Sequence, residues 1–154
     1  MIDQDLKNLI EEFIKKTSFD YKDLEVNLDL ESGSYWCSVR SIDSHALIGR
    51  DGETIQAINY LVKRILEKKY GEETPRVILD INNYQKDRID RIKTTAYMMA
   101  ERARFFKSRV ELDPMNAFER RIVHEYVSQH KDLSSVSAGV GKGRRVVISY
   151  KENV

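Results

Sequence analysis

Two incompatible periods of apolar residues alternate along this chain, and their order restricts the fold class to α+β. Leu6, Leu9, Ile10, Phe13 and Ile14 recur at three- and four-residue spacing. Residues 3–17 are therefore expected to form an amphipathic helix, opened by acidic side chains that suit its positive end. The period then falls to two. Leu24, Val26, Leu28 and Leu30 alternate with Glu25, Asn27, Asp29 and Glu31, the pattern of a strand with one wet face. Ser32, Gly33 and Ser34 turn the chain into a second strand over 35–40, making a hairpin. A short helix at 43–48 and a longer one at 53–69 follow, the latter with a buried stripe of Ile55, Ile58, Val62 and Ile65. Val77, Ile78, Leu79 and Ile81, interrupted only by Asp80, read as a strand interior to a sheet. The first 83 residues thus run α-β-β-α-α-β.

A long helix is expected over 84–106, with Ile89, Ile92, Ala96, Met99 and Ala103 on one side. Its basic residues at 86, 88, 91, 93, 102 and 104, with Lys107 just beyond, read mostly as a solvated face, partly balanced by Asp87, Asp90 and Glu101. Beyond it come a short strand at 109–112, a helix from Pro114 to about residue 129, and strands at 133–138 and 144–150 around a glycine-rich turn. We therefore expect one module over 1–83 and a second over 84–154 that includes the long connecting helix.

Composition narrows the function classes. The chain has 154 residues, of which 41% are hydrophobic, enough for one or two small cores. Formal charge is only +1 but unevenly spread: residues 1–40 carry 5 basic and 9 acidic side chains, and 84–154 carry 15 and 9. Attraction for a polyanion is expected to come from the second half. Cys37 is the only cysteine, so an intramolecular disulfide and a cysteine zinc site are both excluded. That usage, the lack of a basic-apolar leader and the absence of any apolar run near the roughly 20 residues of a bilayer span lead us to expect a cytoplasmic protein without membrane insertion.

The most informative stretch is Leu47-Ile48-Gly49-Arg50-Asp51-Gly52-Glu53-Thr54-Ile55, two glycines three apart where two helices meet. Glycine lacks a Cβ, so a nucleic-acid backbone can approach the main chain, and N–H groups at the start of the second helix can donate to phosphate. Arg50 adds a mobile cation. Ile48 and Ile55, with Arg76 and Ile78 of the following strand, would line a narrow groove for unstacked bases. Asp51 repels phosphate and competes for the same helix terminus; its plain structural role is a helix cap. Asp43 reads as a cap of the preceding helix, and His45 as a minor contact or a surface residue.

These residues resemble the signature of K-homology (KH) domains: an aliphatic pair, G-x-x-G, and an aliphatic three residues on. The element order is that of the type II form. The resemblance implies a loop that clamps the backbone of about four nucleotides. Asp51 departs from it, since that position often holds Lys or Arg.

In Met115-Asn116-Ala117-Phe118-Glu119-Arg120-Arg121-Ile122-Val123-His124, Arg120 and His124 are four apart and share a helix face. A guanidinium and an imidazole side by side can hold neighbouring phosphate oxygens, or the imidazole can stack on a base. The structural alternative has His124 bonded to a loop and Arg120 to a carboxylate. Arg121 points about 100° away. Lys142, Arg144 and Arg145 would add charge if the last hairpin packs beside this helix. The segment, with the Gly-Lys-Gly-Arg-Arg-Val-Val-Ile ending, resembles the R-3-H domain, associated with single-stranded nucleic acid. A KH domain followed by an R-3-H domain is similar to the bacterial Jag family, also called SpoIIIJ-associated or KhpB-type proteins, over nearly the whole chain. Many Jag proteins have a further small N-terminal domain. The resemblance implies post-transcriptional regulation linked to envelope growth and division, and a protein partner that is either a small single-KH protein or a second copy.

Other chemistries fail on spacing. His124-Glu125 begins an H-E-x-x-H pattern, but position 128 is Ser. Gly139 to Gly143 lacks the spacing of a phosphate loop and reads as a hairpin turn. Cys37, on a strand, reads as packing. No cofactor, metal or catalytic residue is expected. The preferred reading is a non-catalytic protein that binds single-stranded RNA, with single-stranded DNA as the other candidate ligand. A protein-interaction adaptor with a degenerate RNA loop comes second. A nuclease using His124 as base comes last, since its neighbour Glu125 faces another way.

Overall fold

The computed structural model describes residues 2–152. It is α+β, in two compact units, the first ending at Lys86 and the second beginning at Asp87. In the first, α1 (Ile2–Lys16), β1 (Asp23–Asp29), β2 (Ser34–Arg40), α2 (Ser44–Ile48), α3 (Glu53–Tyr70) and β3 (Val77–Ile81) follow the order read from the periodicity. The sheet order is β1-β2-β3, with β1 antiparallel and β3 parallel to β2. One face carries the helices. Leu6, Ile10 and Ile14 of α1 and Ile55, Ile58, Val62 and Leu66 of α3 pack with Leu24, Cys37, Val39, Leu79 and Ile81 in one core. Cys37 is fully buried there, and loss of water pushes its thiol pKa up to about 12.

Several expectations need correction. Leu66, at 1% exposure, takes the core position expected of Ile65, which is 41% exposed. At 100° per residue, positions 65 and 66 lie about 50° on either side of the direction defined by Ile55, Ile58 and Val62, so the pattern does not choose between them and tertiary packing decides for Leu66. Leu28 and Leu30 are exposed instead of buried. The strand ends at Asp29, whose carboxylate accepts from the Glu31 N–H and the Ser32 hydroxyl and folds the chain into a turn. β3 is an edge strand, not an interior one; its apolar character comes from the helices on one face. Asn59 of α3 covers part of that edge: its Oδ1 accepts from Leu79 N–H at 2.8 Å and its Nδ2 donates to Leu79 C=O at 2.9 Å.

The second unit contains most of α4 (Tyr84–Phe106), then β4 (Arg109–Glu111), α5 (Ala117–Ser128), β5 (Leu133–Ala138) and β6 (Arg145–Tyr150), with sheet order β4-β6-β5, all antiparallel. Ala96, Ala100 and Ala103 of α4 let it lie close to Val123 and Val127 of α5 and Val146 and Ile148 of β6. α4 starts as part of the first unit because the buried Asp80 carboxylate accepts from the N–H groups of Gln85 and Lys86. The unit boundary therefore falls three residues beyond the expected one. α5 begins at Ala117 rather than Pro114. Asn116 Oδ1 accepts from Glu119 N–H and Glu119 Oε2 accepts from Asn116 N–H, a capping box that fixes the start. Among the described residues no helix is long and apolar enough to cross a membrane.

Candidate nucleic-acid interface

The glycine loop joins α2 to α3 through a 3-10 turn at Arg50–Gly52. Gly49 has φ 75° and ψ −179°, a region essentially closed to other residues. A Cβ there would lie 2.2 Å from Thr54 Oγ1 and 2.9 Å from Thr54 N. Main chain and Thr54 thus occupy the space that a side chain would need. Gly52, at φ 80°, is the residue that precedes α3 and brings no side chain to cap it. Between them Asp51 adopts left-handed backbone at φ 52°, which Asp tolerates better than most residues. The side chains of Arg50 and Asp51 are exposed. Asp43 stands at the start of α2 without capping it through its side chain. Its Oδ2 instead accepts from Asp20 N–H at 3.0 Å and ties the α1–β1 loop to the β2–α2 connection.

The residues expected to line a groove separate into different places. Ile48 is partly buried at the margin of the core, beside the loop. Ile55 is 0% exposed and offers no surface; it supports the loop from beneath. α3 and β3 run in opposite directions across their short connection, with Asn59 level with Leu79. The Ile81 end of β3 therefore lies toward the glycine loop, and Arg76 lies about 16 Å away along the strand at ~3.3 Å per residue. Ile78 is in register with Trp36 of β2 and faces away from the core that takes Val77, Leu79 and Ile81.

In the second unit, Arg120 and His124 do share one face of α5, and both are held. Arg120 Nη1 donates to the Met115 carbonyl at 2.8 Å rather than to a carboxylate. Met115 N–H in turn donates to the Arg144 carbonyl at 3.1 Å, which brings the start of β6 to the same corner. His124 lies between two serines of β5: Nδ1 is 2.7 Å from Ser135 Oγ and Nε2 is 2.9 Å from Ser137 Oγ. Burial, and secondarily the Arg120 charge, hold its pKa below the usual histidine value. The neutral ring donates through one nitrogen and accepts through the other, and a hydroxyl suits either role. The sequence pattern alone did not indicate these serines, which lie 11 and 13 residues downstream on another element.

The glycine-rich segment is the hairpin turn between β5 and β6, and its tip follows directly on Ser137 and Ala138. Gly139 has φ 83°, and a Cβ there would lie 2.8 Å from the Gly143 carbonyl. Lys142 and Arg144 are exposed on this turn, whereas Arg145 Nε donates to Glu111 Oε2 at 2.6 Å. Two arginines of α4 leave the solvated face expected of them. Arg88 pairs with Glu119, the capping residue of α5, at 2.6 Å, and both side chains are largely buried. Arg104 pairs with Asp132 at 2.6 Å and with Glu101. Among the described residues no group of three or more His, Cys, Asp or Glu is arranged to hold a metal.

A family model for the R-3-H domain matches residues 91–150. The chain is 31% identical over 144 residues to the RNA-binding protein KhpB of Clostridium symbiosum, covering 91% of this chain and 64% of that protein. It is 31% identical over 107 residues to RNA-binding protein KhpB of Bacillus subtilis, 68% of this chain and 51% of that one. To the protein of the same name from Lactiplantibacillus plantarum it is 27% identical over 128 residues, 82% of this chain and 39% of that one. The chain thus spans between about two fifths and two thirds of the length of these relatives. Residues 91–150 form an R-3-H domain, and the chain is a homologue of the Jag-family KhpB proteins.

Proposed function

We propose that this chain is a non-catalytic protein that binds single-stranded RNA in the bacterial cytoplasm and acts there as a post-transcriptional regulator. The first unit works as a type II KH domain and the R-3-H domain holds a second stretch of the strand. The name of its relatives supports RNA as the ligand. The observation that carries the mechanism is the bend at Gly49–Gly52, where positive φ at Gly49, Asp51 and Gly52 turns the main chain, with the Arg50 side chain exposed, at the amino end of an 18-residue helix. Phosphate oxygens approach this main chain and Arg50, and bases lie against Ile48. In the R-3-H domain Arg120, Lys142 and Arg144 supply charge and His124 a neutral ring. Arg145 contributes less, because a phosphate must compete with Glu111.

Titration of single-stranded RNA against salt tests this reading. Four phosphates neutralised on a single strand correspond to a loss of roughly fifty-fold in affinity between about 50 and 200 mM salt. A flat response, or no binding in dilute buffer, overturns it. Labelled RNA kept with divalent metal should stay intact; cleavage would return the nuclease reading. The exposed carboxylate of Asp51 favours the adaptor reading, and Asp51→Lys separates the two. On the RNA reading it tightens binding several-fold and steepens the salt dependence of log K by about 0.7, one more phosphate neutralised. On the adaptor reading RNA remains unbound.

A further inference from the structure

At the carboxyl end of α4 two adjacent phenylalanines point into solvent: Phe105 is 82% and Phe106 61% exposed, with their rings edge to face. Hydrophobic side chains of this size are seldom left uncovered together unless something binds them. Beside Phe106 lies an open cleft of about 640 Å³, lined by Arg102, Phe106, Ser108, Arg109, Val110 and Glu111. Arg102 and Arg109 are exposed and form no ion pair among the described residues. Glu111, the one carboxylate in the lining, is held by Arg145, so its charge is largely offset.

The edge of β4 adds a third feature. The Ser108 carbonyl accepts from Tyr150 N–H and Leu112 N–H donates to the Val146 carbonyl, so alternate residues face β6. Arg109 and Glu111 therefore turn their main-chain N–H and C=O groups toward the uncovered edge. An aromatic face, two guanidinium groups and an uncovered donor–acceptor row complement a flat heteroaromatic ring joined to a phosphate. An apolar protein partner would bury both arginines with Glu111, already held by Arg145, as their one nearby carboxylate, which costs more than the contact returns. The sheet order β4-β6-β5 puts this cleft on the opposite edge from Ser135 and Ser137, about 10 Å across two strand spacings from the strand that holds His124.

We propose that the Arg102–Phe106–Arg109 cleft is a base-stacking subsite for single-stranded nucleic acid, separate from the Arg120–His124 face. Phe106 stacks one base, and Arg102 and Arg109 hold the flanking phosphates. This rests on the reading of the chain as an RNA-binding protein. The test is anisotropy titration of the full chain with a labelled single-stranded RNA and with a strand of equal length and charge that lacks bases. Phe106→Leu keeps an apolar side chain at an exposed position but removes the ring. It should weaken RNA binding about tenfold and leave the base-free strand unchanged, whereas Phe106→Tyr should bind RNA within about twofold of the parent. Arg109→Gln should weaken both strands several-fold. If the parent binds RNA and Phe106→Leu matches it, or Phe106→Leu weakens both strands equally, the subsite is overturned while RNA binding stands. If the parent binds neither strand, both readings fall.

Discussion

A methyl group added at Gly49 would meet Thr54 Oγ1 at 2.2 Å, while one added at Gly33 would meet nothing within 4 Å, although both glycines have positive φ. Gly33→Ala reports the strain of a positive φ in open space, and Gly49→Ala adds to it an extended ψ and the contact with Thr54. Gly33→Ala should cost about 1 kcal/mol and Gly49→Ala about 3 kcal/mol, as read from urea unfolding. Equal costs would mean that Thr54 moves aside freely and that the loop is not built around the missing side chain. His124 gives the second residue-scale prediction. Its folded pKa lies below the unfolded value of about 6.5, so the unfolded chain binds more protons in the interval between them. The contribution of the neutral ring is therefore complete above about pH 6.5 and is lost as pH falls from there through the lower folded value. Asp132, whose pKa is lowered by Arg104, loses its contribution only below about pH 4, where carboxylates titrate. Between pH 6.5 and 5, then, the parent should lose stability relative to His124→Gln. Identical pH profiles for the two would show that the two serines accept the charged ring without penalty.

At the scale of the element, Asn59 substitutes for a missing neighbouring strand, since its side-chain amide bonds Leu79 as a paired peptide would. Asn59→Ala should leave the buried Leu79 N–H without its acceptor, at a cost of about 1–3 kcal/mol. The Leu79 amide should then exchange with solvent faster than the amides of β2, and unchanged protection there would deny the clasp its role. Such features explain what the sequence could and could not reveal. Helices and strands were legible because burial imposes a period of 3.6 or 2 on the chain, and the order α-β-β-α-α-β follows from that alone. Element ends and edges depend on single hydrogen bonds. Pro114 is compatible with a helix start, but the reciprocal bonds of Asn116 and Glu119 place it three residues later. An apolar run such as Val77–Ile81 reports coverage and does not distinguish a neighbouring strand from a helix. The candidate site was legible where glycine spacing expressed a local bend. It was not legible where partners are remote in sequence, as with the serines around His124, and the expected burial of Ile55, which the structure bears out, already argued against its lining an open groove.

For the molecule as a whole, the charges and the glycine bend are divided between the two units, so neither is expected to bind strongly alone. Residues 1–40 are net acidic, and the basic excess belongs to 84–154. The loop proposed to approach the RNA backbone thus belongs to the unit with the weaker long-range attraction. Two weak modules on one chain gain by linkage: once the first has engaged a strand, the second meets it at an effective concentration set by the tether. Affinity should then depend on RNA length in a stepwise manner. An oligonucleotide of about four nucleotides, the span of one KH clamp, engages a single module. One long enough to reach both should bind about a hundredfold tighter at the same salt, without any new kind of contact. Arg50→Glu in one unit and Arg120→Glu in the other should each abolish that step, since either leaves only one working module. Combining them should add little further loss on the long strand beyond that of the remaining module. Should affinity instead rise smoothly with length and respond to only one of the two substitutions, a single unit would carry the binding, and the other would owe its fold to a different task.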